Sequence, residues 1–254
     1  MKKPLILVCN DDGVNAPGIR SLIEATRDLG KMIVVAPDKP QSGTGHGITI
    51  NSTLRLNKLE SEEDFEMYSC SGTPVDCVKL AIYKMLPVKP DIVISGINHG
   101  SNASINVIYS GTMSAAVEGS LEGVPSVGFS LLYFDINADF SASKVIARKI
   151  TKQVLESGLP KGVCLNVNIP KLSETELMGI KICRQAEGNW EEEFESRVDP
   201  TGKEYFWLTG TFKIYDSGTD TDIWALENNY VSIVPIQHDL TAHTSLNELK
   251  TWKL

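Results

Sequence analysis

Near the start of the chain stands Leu5-Ile6-Leu7-Val8-Cys9-Asn10-Asp11-Asp12-Gly13, an apolar run that ends in two adjacent carboxylates. Five consecutive apolar residues are typical of a strand that is buried on both faces of a parallel sheet. Asp11 and Asp12 would repel each other unless a cation or a proton lay between them. The stretch therefore indicates an α/β fold with a divalent metal site. The alternative for the acidic pair is a plain turn, because Asp-Gly is a common turn dipeptide.

The residues that follow continue a pattern of strand, helix and strand. Residues 17–29 predict a helix with Pro17 near its start and Gly30 after its end, and residues 32–36 predict a second buried strand. This succession indicates parallel strands with helices on both faces of the sheet. We therefore predict a Rossmann-like α/β fold, a doubly wound and mostly parallel sheet. The remaining predicted elements are strands at 91–95, 126–130 and 163–168, and helices from Pro74 to about residue 86, over 110–121 and over about 143–156.

Polar side chains follow several of these predicted strands. Asp11 and Asp12 follow the first strand, Ser42 lies in a glycine-flanked loop after the second, and Asn98 follows the third. Because ligands bind at the carboxyl ends of parallel strands, we expect these oxygens to converge on one Mg²⁺ or Mn²⁺ ion. Each residue also has a plainer explanation. Ser42 is compatible with simple turn chemistry, and Asn98 and Asn102 with hydrogen bonds to their own loop.

A second group of residues predicts an anion site. Ser110-Gly111-Thr112 opens a predicted helix, where backbone N–H groups and the helix dipole favour a phosphate, and Asn102 is a further candidate contact. The alternative is an ordinary Ser or Thr helix cap. No Lys follows the Gly and Thr, so the segment is not a Walker A loop. His99 is a candidate proton donor, although a loop histidine is more often a surface residue.

Composition limits the classes of protein that fit. With 254 residues, of which 42% are hydrophobic, the chain is long enough for one large α/β domain. Its 32 acidic residues exceed its 24 basic ones, so we expect no stable nucleic-acid partner. Five scattered cysteines without a CxxC pair predict a reducing, cytoplasmic location. The first apolar run is too short for a secretory signal, and no segment has transmembrane length, so we expect no membrane association.

Residues 183–215 differ in character from the rest of the chain. Four glutamates precede a turn at residues 199–202, and an aromatic strand follows at residues 205–208. We predict a protruding β-hairpin arm, which is either an ordinary solvent-facing excursion or a subunit contact. The single domain of residues 1–254 then divides into an α/β core (1–182), the arm (183–215) and a C-terminal strand and tail (216–254).

The order of these motifs resembles the SurE family of survival-protein nucleotidases along nearly the whole chain. The blocks that carry the resemblance are Asn10-Asp11-Asp12-Gly13, Ala16-Pro17-Gly18-Ile19, Val35-Ala36-Pro37 with Ser42-Gly43, Ser71-Gly72-Thr73-Pro74 with Asp76-Cys77-Val78, Ser95-Gly96-Ile97-Asn98 with Gly100 and Asn102, Ser110-Gly111-Thr112 with Ala115-Ala116 and Glu118-Gly119, Leu165-Asn166-Val167-Asn168-Ile169-Pro170, Asp199-Pro200 with Gly202, Thr221-Asp222 with Ala225, and Tyr230-Val231-Ser232-Ile233.

The resemblance implies a metal-dependent phosphomonoesterase, a 5'-nucleotidase that acts on nucleoside 5'-monophosphates and also on 3'-monophosphates. It implies one divalent ion per subunit, held at Asp11, Asp12, Ser42 and Asn98. Our working hypothesis makes Asp11 and Asp12 the catalytic residues as well, either because a carboxylate activates a metal-bound water or because one aspartate attacks directly. It also implies a homodimer or homotetramer in which the arm and the C-terminal tail pack between subunits.

Two other classes of protein remain open at this point. A receiver-like regulatory module also places an acidic pair after its first strand, but it needs a phospho-accepting Asp after a central strand, where this chain has Ser95-Gly96-Ile97-Asn98. A non-catalytic nucleotide-binding or phosphate-binding protein would use the same scaffold without turnover.

Overall fold

The first apolar run forms a buried central strand. In the computed structural model, which describes residues 3–253, β1 (Leu5–Cys9) is buried along its whole length. It is followed by α1 (Pro17–Thr26) and by β2 (Lys31–Pro37), which pairs with β1 in parallel. Pro17 occupies the first turn of α1, and Ile19 and Leu22 are fully buried on its inner face. The predicted strand-helix-strand unit is therefore confirmed.

Nine further strands and five further α-helices lie after this unit in residues 3–253. They are β3 (Leu56–Glu62), β4 (Phe65–Cys70), α2 (Pro74–Leu80), β5 (Ile92–His99), α3 (Gly111–Leu121), β6 (Ser126–Leu131), α4 (Ser141–Ser157), β7 (Val163–Ile169), β8 (Gly179–Ile182), β9 (Gly188–Val198), β10 (Glu204–Ile214), α5 (Asp222–Glu227), β11 (Tyr230–Gln237) and α6 (Leu246–Leu249).

The main sheet has nine strands in the order β3-β4-β2-β1-β5-β6-β7-β11-β8. The six strands from β4 to β7 are parallel to one another, and β3 and β11 pair antiparallel at the two ends of this block. Counted in chain order, the parallel strands run 3-2-1-4-5-6, the doubly wound order whose direction reverses between β1 and β5. The predicted Rossmann-like fold class is confirmed, and the reversal lies beside Asp11 and Asp12.

Helices cover both faces of this sheet. Ile6 and Val8 of β1 belong to one apolar cluster with residues of α1 and α4, whereas Leu7 and Cys9 belong to a second cluster with residues of α2 and α3. Successive side chains of a strand point to opposite faces, so one five-residue strand contributes to both layers. Because both layers are mainly apolar, charged side chains such as Asp11 and Asp12 gather at the strand ends.

Several predicted boundaries needed correction. The strand predicted to end at Ser95 continues to His99, because β5 carries an irregularity between Ser95 and Asn98 after which pairing with β6 resumes. The helix predicted to reach about residue 86 is α-helical only to Leu80 and ends in a π-helical turn. Its predicted start is confirmed, since the side chains of Thr73 and Asp76 form a capping box.

The arm is a separate two-stranded antiparallel sheet. β9 and β10 pair from Gly188 opposite Ile214 to Val198 opposite Glu204, so the hairpin itself begins five residues after the predicted boundary at residue 183. The division into core, arm and tail stays a prediction, and its ends at Met1, Lys2 and Leu254 lie outside the described residues. No helix within residues 3–253 is long and apolar enough to cross a membrane.

Candidate active site

The turn after β1 is fixed by backbone contacts. The Asn10 Nδ2 atom donates to the Gly13 carbonyl at 2.9 Å, and the Val14 N–H donates to the Pro37 carbonyl at 2.8 Å. Gly13 has a φ of +98°, a left-handed conformation that favours glycine, and it lies against the backbone of Lys39. The chain therefore leaves β1 in one conformation that presents Asp11 and Asp12 at the strand end.

Asp11 is held by the start of α3. Its side chain is almost completely buried, and its carboxylate accepts a hydrogen bond from the Thr112 hydroxyl and faces the backbone N–H groups of Gly111 and Thr112 at the helix start. Burial raises the pKa of Asp11, and these donors offset part of that rise. A methyl group on Gly111 would lie 2.6 Å from the Asp11 Cβ, so the helix start and the carboxylate are in direct contact.

The negative charge of Asp12 receives less support from hydrogen-bond donors than that of Asp11. Its Oδ2 atom accepts the His99 N–H at a long 3.3 Å, which also places it beside Asn98. Burial, and then the neighbouring charge of Asp11, raise the pKa of Asp12 to about 7. Within residues 3–253, no basic side chain forms an ion pair with either carboxylate. An acidic pair without a basic partner fits a cation between the two groups.

The loop that carries Ser42 is anchored over this acidic pair. The Gln41 N–H donates to the Asp11 carbonyl at 2.7 Å, and the Gly45 N–H donates to the Tyr109 carbonyl at 3.2 Å. Further along, the His46 Nε2 atom lies 2.9 Å from Oε2 of Glu118, which is only 2% exposed. Burial raises the pKa of Glu118, but its bonds to His46 and Lys79 outweigh this and leave that pKa below its usual value. The exposed Ser42 is therefore kept at the mouth of the site.

Asn98 completes the predicted oxygen set. Its Nδ2 atom donates to the Gly100 carbonyl at 2.9 Å, so Oδ1 is the atom available as a ligand. Asp11, Ser42 and Asn98 line one cleft of about 600 Å³. Asp12 does not line this cleft, and its contact with it is through the backbone of His99. In the part of the chain that the structure describes, no three His, Cys, Asp or Glu side chains form a metal cluster, so this site depends on two carboxylates and neutral oxygens. That composition suits a hard ion such as Mg²⁺ or Mn²⁺.

Of the four predicted phosphate contacts, Asn102 and Ser110 line the same cleft, and Gly111 and Thr112 do not. Ser110 also caps α3 by accepting the Met113 N–H at 3.0 Å, which is the plainer role considered for it. The Thr112 hydroxyl is used by Asp11. Direct phosphate contacts by Gly111 and Thr112 stay a prediction, and the geometry gives both residues the additional task of orienting Asp11.

Asn102 rests on a buried polar network that sequence reasoning did not assign. Its N–H donates to Asn168 Oδ1, its Nδ2 donates to Ser130 Oγ, and its carbonyl accepts from Asn166 Nδ2, each at 2.8 Å. The only signal in the sequence was the polar pair Asn166 and Asn168 inside an otherwise apolar strand. Such a satisfied network fixes the position of Asn102 at the cleft.

His99 is present at the cleft but is poorly suited to donate a proton. Its Nδ1 atom lies 3.2 Å from the Asp135 carbonyl, which can only accept, so Nδ1 carries the hydrogen and Nε2 is an acceptor in the neutral ring. Burial lowers the pKa of His99, which favours this neutral form. The geometry supports a structural role for the ring, which also packs edge-on against Phe140.

Aromatic rings also line the cleft, and the sequence did not predict them as site residues. The aromatic members of the lining are Tyr109, Phe134, Trp190 and Phe212. Trp190 and Phe212 belong to β9 and β10, so the base of the arm reaches the cleft. Hydrophobic patterning alone could not reveal this, because it depends on how the arm docks against the core.

Comparisons with known proteins place this geometry in a family context. A family model described as survival protein SurE matches residues 6–192. A protein named 5'-nucleotidase SurE from Flavobacterium psychrophilum is 60% identical over 100% of this chain and 99% of its own length. Its namesake from Flavobacterium johnsoniae is 61% identical over 100% and 98%. The crystal structure of the SurE protein from Aquifex aeolicus is 40% identical and covers 97% of this chain and 98% of its own, with a TM-score of 0.84.

Proposed function

This chain belongs to the survival protein SurE family, and from that premise we propose that it is a metal-dependent phosphomonoesterase. It acts as a 5'-nucleotidase that hydrolyses nucleoside 5'-monophosphates to nucleoside and phosphate. The proposal extends to hydrolysis of nucleoside 3'-monophosphates at the same site. The observation that carries it is the acidic pair at the reversal point of the sheet. Asp11 and Asp12 have no basic partner within residues 3–253, and Asp11 lines a large cleft together with Ser42 and Asn98.

One Mg²⁺ or Mn²⁺ ion per subunit is the cofactor in this proposal. Asp11, Asp12, Ser42 and Asn98 would hold it, and the uncompensated carboxylates fit this role. When bound, the ion supplies positive charge that polarises the phosphoryl group and balances the charge that develops in the transition state. The protein's own contribution is to fix the ligands before the substrate arrives, which is what the contacts of Asp11 and of the Ser42 loop achieve.

The two carboxylates have different freedom to act. Asp11 is buried and held by the Thr112 hydroxyl at the start of α3, whereas Asp12 accepts one long hydrogen bond and is less buried. We assign the reacting role to Asp12, either as the base that takes a proton from attacking water at its carboxylate or as the nucleophile itself. Direct attack leaves a phosphorylated Asp12, and general-base catalysis does not, so trapping with mass spectrometry separates the two routes.

The phosphate is proposed to lie between this pair and the start of α3. Asn102 and Ser110 line the cleft there, and the dipole of α3 favours an anion near Gly111 and Thr112. The protein's net charge of −8 makes such local donors necessary for an anionic substrate.

One assay tests the proposed function against its alternatives. Pure protein is incubated with p-nitrophenyl phosphate, AMP or GMP, with Mn²⁺ or with EDTA, and released phosphate is measured. We expect turnover that needs the metal, because two unpaired carboxylates alone repel a phosphate. A stable phosphoprotein without turnover would instead select a receiver-like module. Binding of AMP without phosphate release would select a non-catalytic sensor.

We also propose a homodimer or homotetramer assembled through the arm and the C-terminal tail. Phe194, Phe206, Trp207 and Leu208 are exposed on the arm, and Leu240 and Trp252 are exposed on the tail. An exposed two-stranded sheet with large apolar residues supports a subunit contact, because such a surface is costly in water. The five cysteines are all free, which supports the proposed reducing, cytoplasmic location.

Replacing Trp207 with Glu is expected to reduce the mass of the assembly. Trp207 is 57% exposed in the isolated chain, and a carboxylate there would be buried without a partner in an arm-to-arm contact. Light scattering coupled to gel filtration measures the mass against the 27.8 kDa of one chain. Thr201→Glu, on the exposed turn of the arm, is the matched control and keeps the wild-type mass. A monomeric wild-type protein would contradict the proposal.

A further inference from the structure

We propose that Phe134, together with Trp190 and Phe212, forms a stacking site for the nucleobase of the substrate. The inference rests on the proposed function and extends it, because it assigns residues to the nucleoside half of the cleft. The base would lie with its face against the Phe134 ring, beside the Trp190 and Phe212 pair that lines the same cleft, while the phosphate lies near Asp11.

The shape of the cleft calls for a ligand larger than phosphate. Its volume of about 600 Å³ lies within the range of small-molecule sites. The cleft is lined by two kinds of side chain. Asp11, Ser42 and Asn98 are among the polar ones, and the aromatic rings are among the apolar ones. A ligand that fills both parts must join an anionic group to a flat apolar group, and a nucleoside monophosphate has this composition.

Phe134 is placed for stacking. Its side chain is 81% exposed in the loop after β6, yet its ring borders the cleft rather than open solvent alone. The ring lies over Gly100, where an added Cβ would be 2.2 Å from the Phe134 Cε1 atom. Gly100 therefore supplies the space that lets the ring lie over the segment that carries Asn98.

Trp190 and Phe212 are held rigidly at the arm's base. Their ring centroids are 5.5 Å apart at an angle of 68°, and the Trp190 Nε1 atom donates to Asn106 Oδ1 at 2.8 Å. The buried Asp222 carboxylate accepts the Ser104 N–H at 2.8 Å and the Ala186 N–H at 2.9 Å. These bonds fasten the arm's base to the segment that leads to Ser110, so the rings keep a fixed distance from the phosphate end.

This site would accept every base to some extent. Stacking on an aromatic ring tolerates any base because each base has a π-face. Trp190 Nε1–H is already used by Asn106, so it does not read the edge of a base in this geometry. We therefore expect broad base tolerance, with purines favoured over pyrimidines because they present the larger face.

The test measures product binding at each end of the cleft separately. In the Mn²⁺-loaded protein, calorimetry gives the affinities for adenosine and for inorganic phosphate, in wild type and in Phe134→Ala, Phe134→Tyr and Trp190→Ala. We expect Phe134→Ala and Trp190→Ala to weaken adenosine binding about tenfold, which is a typical value for loss of one stacking partner. Phosphate binding stays within twofold in both, and Phe134→Tyr binds adenosine like wild type.

A matched control and a defined failure complete the experiment. Tyr83 is an aromatic residue of comparable exposure outside the cleft lining, and Tyr83→Ala leaves both affinities unchanged. Adenosine affinity that is undetectable in wild type, unchanged in Phe134→Ala, or lost in parallel with phosphate affinity would overturn the inference. If wild type binds adenosine through Phe134 but releases no phosphate from AMP, the proposed function fails while the stacking site stands. If Trp190→Ala does not fold, the Phe134 variants decide.

Discussion

Asp12→Asn is expected to lower turnover of AMP by at least about 10²–10³-fold, which lies within the range for removing a positioned general base. The same change is expected to raise the melting temperature of the protein in EDTA. Both effects follow from removing the charge of Asp12, which catalysis needs and which destabilises the protein without metal. Burial and the charge of Asp11 make a charged Asp12 unfavourable in the folded protein without metal, as its pKa of about 7 indicates, and Asn removes that charge.

The sign of the stability effect depends on pH. The pKa of Asp12 is about 7 in the folded protein against an ordinary value of 3.8, so the folded state binds this proton more tightly than the unfolded state does. Below about pH 4 the group is protonated in both states and costs nothing. As the pH rises to about 7 the unfolded state is charged first, and stability falls. The gain from Asn is thus absent near pH 4 and complete above pH 7, on the order of 1–3 kcal/mol after allowance for partial exposure.

The control for Asp12 lies on the same edge of the sheet. Asp38 directly follows β2, is exposed, and Asp38→Asn makes the same chemical change without removing a buried charge. We expect its turnover and its melting temperature to match wild type at every pH. Added Mn²⁺ stabilises wild type and Asp38→Asn but not Asp12→Asn, because ligand binding stabilises only proteins that hold the ligand. Near-wild-type turnover in Asp12→Asn, or a lower melting temperature in EDTA, would refute the assignment.

The parts of the fold that the sequence predicted are those with local signals. β1 and β2 are continuous apolar runs. The start of α2 is predicted by two capping residues within four positions, Thr73 and Asp76. β3 was not predicted, because its Leu-Asn-Lys-Leu-Glu-Ser-Glu sequence is mostly polar and exposed. That strand forms because it pairs antiparallel with β4, and no local sequence pattern predicts such a pairing.

The candidate site divides in the same way. Asp11, Asp12 and Asn98 could be predicted to meet because strand ends of one parallel sheet share an edge. Trp190 and Phe212 could not be predicted, because they reach the cleft through long-range contacts. Asp222 accepts from Ser104 and Ala186, and the Trp190 Nε1 atom donates to Asn106. Contacts between distant parts of the chain leave no periodic signal in the sequence.

Gly111→Ala is expected to reduce kcat/KM for AMP on the order of 10²-fold while the protein stays folded. The new Cβ would lie 2.6 Å from the Asp11 Cβ and 2.9 Å from its Oδ2 atom, well inside contact distance. Asp11 cannot swing away, because the fixed turn after β1 sets its backbone and Thr112 holds its carboxylate. The helix start and the carboxylate must separate by several tenths of an ångström or more, and small misplacements of catalytic groups cost rate steeply.

Gly119 provides the matched comparison in the same helix. A Cβ at Gly119 would lie 2.3 Å from Ser126 Oγ and 2.8 Å from Val93 Cγ2, so the clash is at least as severe but lies in the core behind the site. Gly119→Ala is therefore expected to lose about 1–3 kcal/mol of stability and to keep its activity per folded molecule. Circular dichroism melting and kcat/KM at saturating Mn²⁺ measure both quantities. If Gly111→Ala stayed within threefold of wild type, contact between α3 and Asp11 would not control the reacting geometry.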